Sequence, residues 1–190
     1  MSFNNDGAWD IDEQLRVLDL VQTGVAAGDL VMLIDNSGTA VVGECIRQFE
    51  DRKPRVDLVG YSWGLVQRSG AVGTMGARTF SPLVVVRRVD AATASLASLV
   101  YGRVATLTVR ISAFRAGGDR TVTDTQPMFE LELGEAQITG QYLTTGGPLE
   151  IMSEVLVFNY RRVKISTAAQ QMTGARGAVR ECEMQAQSPA

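Results

Sequence analysis

The chain has 190 residues, 45% of them hydrophobic, with mixed charges that sum to −3 and no histidine. A chain of this length is one domain with a sizeable core, since roughly 70% of its unfolded surface can be buried. Three classes are excluded: no run reaches the roughly 20 apolar residues of a membrane-spanning helix, no basic face suits nucleic acid, and histidine-based metal or acid–base chemistry has no histidine to use.

The start, Met1 to Asp6, lacks the basic residues and apolar run of a signal peptide. That implies a chain that stays in the cytoplasm or leaves by a route without a cleaved signal. Asp10 to Gly24 predicts a short amphipathic helix. Ile11, Leu15, Leu18 and Val21 follow helical spacing, and Asp10, Asp12 and Glu13 sit where a helix N-terminus favours negative charge. Residues 1–28 therefore read as an extension before the main domain.

From Leu30 the period becomes that of strands. Leu30 to Asp35 is an apolar run closed by the turn cluster Asn36-Ser37-Gly38, and Thr39 to Ile46 is a second run. Arg47 to Arg55 is dense in charge, contains Pro54 and reads as a loop. Val56 to Gln67 alternates as one strand. Val59, Tyr61, Trp63 and Leu65 share a face; Gly60, Ser62 and Gly64 share the other, where small residues let another backbone approach closely.

Within that strand, Gly60-Tyr61-Ser62-Trp63-Gly64 has the G-x-S-x-G spacing of a hydrolase nucleophile elbow. Such a serine needs a base. Without histidine a desolvated lysine would have to serve. Lys53 lies in a run of charges and Lys164 late in a strand, neither a desolvated setting. The strand reading predicts no catalytic residue here.

Ser69 to Gly76 is a glycine-rich connector without the Gly-Lys-Ser/Thr ending of a phosphate loop. Leu83 to Val89 reads as a strand. Asp90 can cap a helix over Ala91 to Tyr101, with Leu96, Leu99 and Val100 as its apolar stripe and Gly102 as its stop. Val104 to Phe114 alternates, with Leu107, Val109 and Ile111 on one face. Met128 to Leu143 is a long strand with Gly134 as a bulge. Glu150 to Ile165 is the last strand, apolar on both faces, which implies burial both within the subunit and against a neighbour. Residues 166–190 turn polar and small and read as a tail, mobile unless a partner orders it. Cys45 and Cys182 form no metal-ligand spacing and read as free thiols by default, with a disulfide between them as the other reading. No metal site and no cofactor site is predicted.

Several strands with turn signals and one helix argue for a β-barrel or sandwich. The order of particular segments says more. Val56-Asp57-Leu58-Val59-Gly60-Tyr61-Ser62-Trp63-Gly64 resembles the "EVLSFSWG"-type strand of the Hcp family, the tube proteins of bacterial type VI secretion. Leu30 to Asp35 and Val42-Gly43-Glu44 resemble that family's opening "FLKIDG" and "GES" elements. Arg88-Val89-Asp90-Ala91-Ala92-Thr93 with Leu96 is similar to its "RxDxASPxL" junction. Ala105 to Arg110 is similar to its "ATLTLRK", and Glu154 to Tyr160 to its "ESVSLNY". The likeness spans residues 29–165. The chain departs from it in lacking a histidine after the second strand, in the charges of Arg47 to Arg55, in a longer Arg110 to Met128 region and in both extensions.

The resemblance implies a mainly β fold: a compact β-barrel of two packed sheets with one flanking α-helix. It implies a homo-hexameric ring, with rings stacked into a hollow tube that a contractile sheath surrounds, a spike caps and a baseplate seats. The tube is expelled, and small effectors can ride in its lumen. A tail tube of a phage-like or other contractile injection system shares this architecture, and a monomeric effector- or ligand-binding barrel is a further alternative. Arg47, Asp51, Arg52 and Arg55 are candidates for ring-to-ring contacts; ordinary solvated loop charges are the other reading of them.

Overall fold

The structure, a computed structural model, describes residue 16 and residues 30–47, 49–69, 75–114, 126–145, 152–170 and 176–186. The helix expected over Asp10 to Gly24 lies outside these apart from Arg16, which is helical. Residues 70–74 of the glycine-rich connector also lie outside.

Strand β1 (Leu30–Asn36) sends Met32 and Ile34 into the core and turns through Ser37 and Gly38. Both turn residues have positive φ, 52° and 95°, the geometry that joins twisted strands by a two-residue loop. The return strand β2 (Thr39–Ala40) has only two residues. The second run predicted to Ile46 leaves the ladder after Ala40, and Val42 and Ile46 stand exposed. The predicted Val56–Gln67 strand is likewise divided, because its segments serve three partners. β3 (Val56–Asp57) pairs with β1, β4 (Gly60–Ser62) pairs with β7 (Leu83–Arg88), and β5 (Leu65–Ser69) pairs with β6 (Met75–Phe80) in a separate ladder.

The remaining elements are α1 (Ala92–Tyr101), β8 (Leu107–Ala113), β9 (Phe129–Thr144), β10 (Ser153–Asn159), β11 (Arg162–Gln170) and β12 (Arg176–Gln185). Two antiparallel sheets result. One runs β1-β8-β9-β11-β12, with β2 and β3 on the other edge of β1; the second runs β9-β10-β7-β4. The 16-residue β9 belongs to both. Its first half lies between β8 and β11, and its second half pairs with β10. Two bulges let one strand serve both sheets. Leu107 faces Ala136 while Val109 faces Leu133, so an extra residue sits at Gly134–Glu135, as the glycine predicts, with Glu135 at φ 51°. Val157 faces Gly140 while Phe158 faces Ile138, which leaves Thr139 as a second extra residue.

The sheets pack on one core that includes Leu83, Val85, Leu107, Leu133, Leu156 and Phe158, with Leu96 of α1 set against it. The fold is thus the expected mainly β pair of sheets with one flanking helix. Among the described residues the ladder does not close: β12 pairs only with β11, and β4 only with β7.

Two expectations need correction. The strand predicted over Glu150–Ile165 breaks at Tyr160–Arg161, because β10 pairs with the second half of β9 and β11 with the first. Residues after 165, read as a tail, continue β11 to Gln170 and return as β12. Their polar composition reflects an exposed outer strand, while the backbone pairs and Met184 packs on the core.

Helix α1 ends at Tyr101 with Gly102 as its C-cap, where the sequence placed its stop, but Gly102 is itself right-handed, at φ −73°. The Val104 amide donates to Leu99 O at 3.2 Å and the Arg103 amide to Val100 O at 3.0 Å, which places Arg103 at the left-handed position, φ 52°. A side chain there costs about 1 kcal/mol relative to glycine. Arg103→Gly is therefore expected to raise the urea midpoint, adding about 1 kcal/mol of stability; an unchanged or lower midpoint would refute this cap.

Candidate functional site

Strand parity places Arg87 on the inward face of β7 with Leu83 and Val85, and Glu154 on the inward face of β10 with Leu156 and Phe158. Both are fully buried. Arg87 Nη1 donates to Glu154 Oε2, and Nη2 forms an ion pair with Asp90 Oδ1. Gln141 Nε2 donates to the other Glu154 oxygen and to Thr93 O at 3.1 Å, and Thr93 Oγ1 donates to Glu154 Oε2 at 3.3 Å. Arg87 Nε has no hydrogen-bond partner among the described residues. Three sheet strands, β7, β9 and β10, and the first turn of α1 are thereby tied at one point.

Asp90 carries the tie outward. Its Oδ1 accepts the Ala92 amide at 2.7 Å, so it caps α1 as expected, and its Oδ2 accepts the Glu44 amide at 3.3 Å. Glu44 Oε1 in turn accepts the Ala91 amide at 3.3 Å. Beside it, a Cβ on Gly43 would lie 2.8 Å from Arg55 O and 2.5 Å from Val56 Cγ1, so only glycine fits. Burial works to raise the Asp90 pKa, but the Arg87 guanidinium and the Ala92 and Glu44 amides together hold it below the ordinary carboxylate range.

The loop that follows folds over β1. Arg47 Cζ lies 4.1 Å from the Phe114 ring centre, Phe114 is 5.8 Å from Phe49, and Arg55 Cζ is 4.6 Å from Phe49. This guanidinium–phenyl–phenyl–guanidinium column is worth about 0.5–1 kcal/mol at each cationic contact. Arg55 Nη2 also donates to Asp51 Oδ2 at 2.7 Å, and Lys53 pairs with Asp35. The Lys53 ammonium holds the Asp35 carboxyl below its ordinary pKa, with burial opposing and the Gly38 amide assisting. Of the four predicted stacking residues, Arg47, Asp51 and Arg55 thus form the loop's internal frame, and Arg55 is only 6% exposed. Asp51 and Arg52 are the exposed two of the four, and Arg52 stands at φ 53°.

Ser62 does not sit on an elbow. It lies in β4 opposite Val84, is 7% exposed, and is followed by β5 rather than a helix. Lys53 is committed to Asp35 and Lys164 to Glu181. Trp63 lies partly buried against the core, as predicted, and bonds Tyr160, whose hydroxyl donates to Ser81 O at 2.9 Å. Both cysteines are free thiols; burial and then Asp57 push Cys45 up to about 11. A shallow cleft lined by Glu135, Arg161 and Arg162 is open to solvent and spent on ion pairs of 3.5 and 3.6 Å.

The site is thus a pinned loop and a buried ionic knot in a two-sheet β protein. The family described as "Type VI secretion system effector, Hcp" matches residues 31–166, and the chain belongs to it. Solved structures share the fold. One titled as a type six secretion system protein has a TM-score of 0.66 at 20% identity and covers 80% of this chain and 91% of its own. Hcp1 from Salmonella typhimurium has a TM-score of 0.64 at 13% identity, covering 85% and 96%. The secreted protein Hcp3 from Pseudomonas aeruginosa has 0.56 at 16%, covering 85% and 100%. No significant match is found among curated proteins. Among the described residues no helix is long and apolar enough to cross a membrane.

Sequence reasoning missed Arg87 and Glu154 as a pair, although each shares the parity of the apolar residues beside it. It had pointed to Arg88, which is exposed.

A depressed aspartate pKa adds stability above the unfolded value that disappears as pH falls through the lower folded value. The reference value for Asp90 is 3.8. The melting temperature should therefore fall steeply with pH below about 4. Asp90→Asn should melt lower at neutral pH and show a shallower acid slope, since Asp35 and Asp51 remain; equal slopes would contradict the assignment.

Proposed function

We propose that this protein is a structural tube subunit of a type VI secretion system, a homo-hexameric ring former whose rings stack into a hollow inner tube. Sheath contraction expels the tube, capped by its spike, from the baseplate without a cleaved signal peptide, and small effectors ride in its lumen. The subunit performs no catalysis. Membership of the Hcp family supports this reading.

The observation that carries it furthest is the placement of exposed apolar side chains. Ile46 and Tyr101 are each 94% exposed, and Val42, Leu143 and Met152 are more than half exposed. A lone soluble subunit gains nothing from them, whereas identical neighbours would bury them. Contacts between rings through the 47–55 loop would fall to Arg52, on a frame made by Arg47, Asp51 and Arg55, and to the exposed Ile46 that precedes the loop in sequence.

Sedimentation of the purified protein, with negative-stain imaging, is expected to show hexamers and annular or tubular particles. Ile46→Asp should weaken ring stacking while leaving the subunit's melting temperature nearly unchanged, because its side chain is already in solvent. Ser62→Ala should leave assembly intact. A monomer at high concentration with no annular particles would overturn the proposal.

A further inference from the structure

The two ends of α1 carry complementary surfaces. At the C-terminal end Tyr101 is 94% exposed, and Gly102 and Arg103 after it are exposed as well. Arg103 stands at φ 52°, a conformation that is unfavourable for a side chain and free for glycine. Its guanidinium makes no ion pair among the described residues. Tyrosine and arginine are the residue types that most often anchor protein interfaces, and strained turns are kept where they serve a contact.

The N-terminal end of α1 is built from three segments. The Glu44 amide donates to Asp90 Oδ2 and Glu44 Oε1 accepts the Ala91 amide, both at 3.3 Å, and the Val89 amide donates to Met152 O at 3.1 Å. Val42, 64% exposed, and Met152, 53% exposed, therefore stand beside the exposed Glu44 and Ala91 at the start of the helix. One end is an aromatic knob with one guanidinium; the other is an apolar seat with one carboxylate.

We propose that Tyr101 and Arg103 of one copy dock on Val42, Met152 and Glu44 of a second copy, joining two subunits head to tail along α1. This contact deepens the tube reading and rests on it. Its charges match, since Arg103 meets Glu44. The helix dipole adds to that attraction, because the helix has no acidic residue in its first turn and no basic one in its last, leaving partial positive charge at the seat and partial negative charge at the knob. Docking of like ends would set like charges against each other. A helix of 10 residues is about 15 Å long, so the knob and seat of one chain cannot meet. Docked between copies, they leave one knob and one seat free, which is the kind of contact from which rings and filaments grow.

The test uses the full chain. Arg103→Glu and Glu44→Arg should each raise the concentration at which the assembly half-dissociates about tenfold or more, and the double variant should recover most of the loss. Single variants that assemble like the parent, or a double variant no better than either single, would overturn the contact. A second measurement does not depend on these charges. Chains with Cys45→Ser and Cys182→Ser carry either Ala91→Cys beside the seat or Ala105→Cys beside the knob, both exposed positions, and are co-expressed with different tags. A short bis-maleimide is expected to link one chain type to the other. Links only within one chain type would show like ends meeting, and assembled particles without mixed links would show that the subunits join elsewhere; either overturns the proposal. A chain that stays monomeric fails the tube reading and this contact with it, whereas assembled particles without mixed links fail the contact alone.

Discussion

The Arg87–Glu154 pair is the constraint around which this subunit is arranged. Two charges without solvent exposure are costly to bury, and their attraction offsets that cost only when neighbours satisfy the rest of both groups. Here Asp90, Thr93 and Gln141 provide most of that satisfaction. Apolar residues of equal volume could be as stable or more so. What an ionic knot adds is position: β7, β10, β9 and the start of α1 must meet in one register for any of its bonds to form. The helix then cannot slide along the sheets, and Asp90, Ala91 and Glu44 carry that register into the loop.

This gives a physical meaning to the segments that carry the family resemblance. The Val42-Gly43-Glu44 element, the strand-to-helix junction at Asp90 and the last-strand segment beginning at Glu154 are far apart in the chain, yet they converge on one contact set. Gly43 is required by close approach to Arg55 and Val56. The contact set holds the loop and the start of α1 in fixed relation to the two sheets. The bent β9 serves the same end, since one strand shared by both sheets sets their relative placement.

Much of this was legible in the sequence. Periodicity located β1, β7, α1 and the buried side of β8, and Gly134 marked the first bulge of β9. Both faces of the Glu154–Tyr160 segment are apolar because Leu156 and Phe158 enter the core while Val155 and Val157 form a second, outward cluster. What failed did so for identifiable reasons. A chain that crosses between sheets keeps its alternation, so Val56–Gln67 and Glu150–Ile165 read as single strands although each changes partners. An exposed outer strand has the composition of a tail, so β12 was invisible. Charge density marked Arg47–Arg55 as a loop but could not show that Phe49 and Phe114, distant in sequence, would draw Arg47 and Arg55 onto their rings.

A double-mutant cycle on Arg87→Met and Glu154→Leu, read by urea denaturation, tests the ionic knot most directly. Each single change leaves a buried charge without its partner and is expected to cost about 3–5 kcal/mol, with the double variant recovering much of the loss and a coupling of about 2 kcal/mol or more. Additive losses would show that the two side chains fold independently and that the register of α1 on the barrel is set elsewhere.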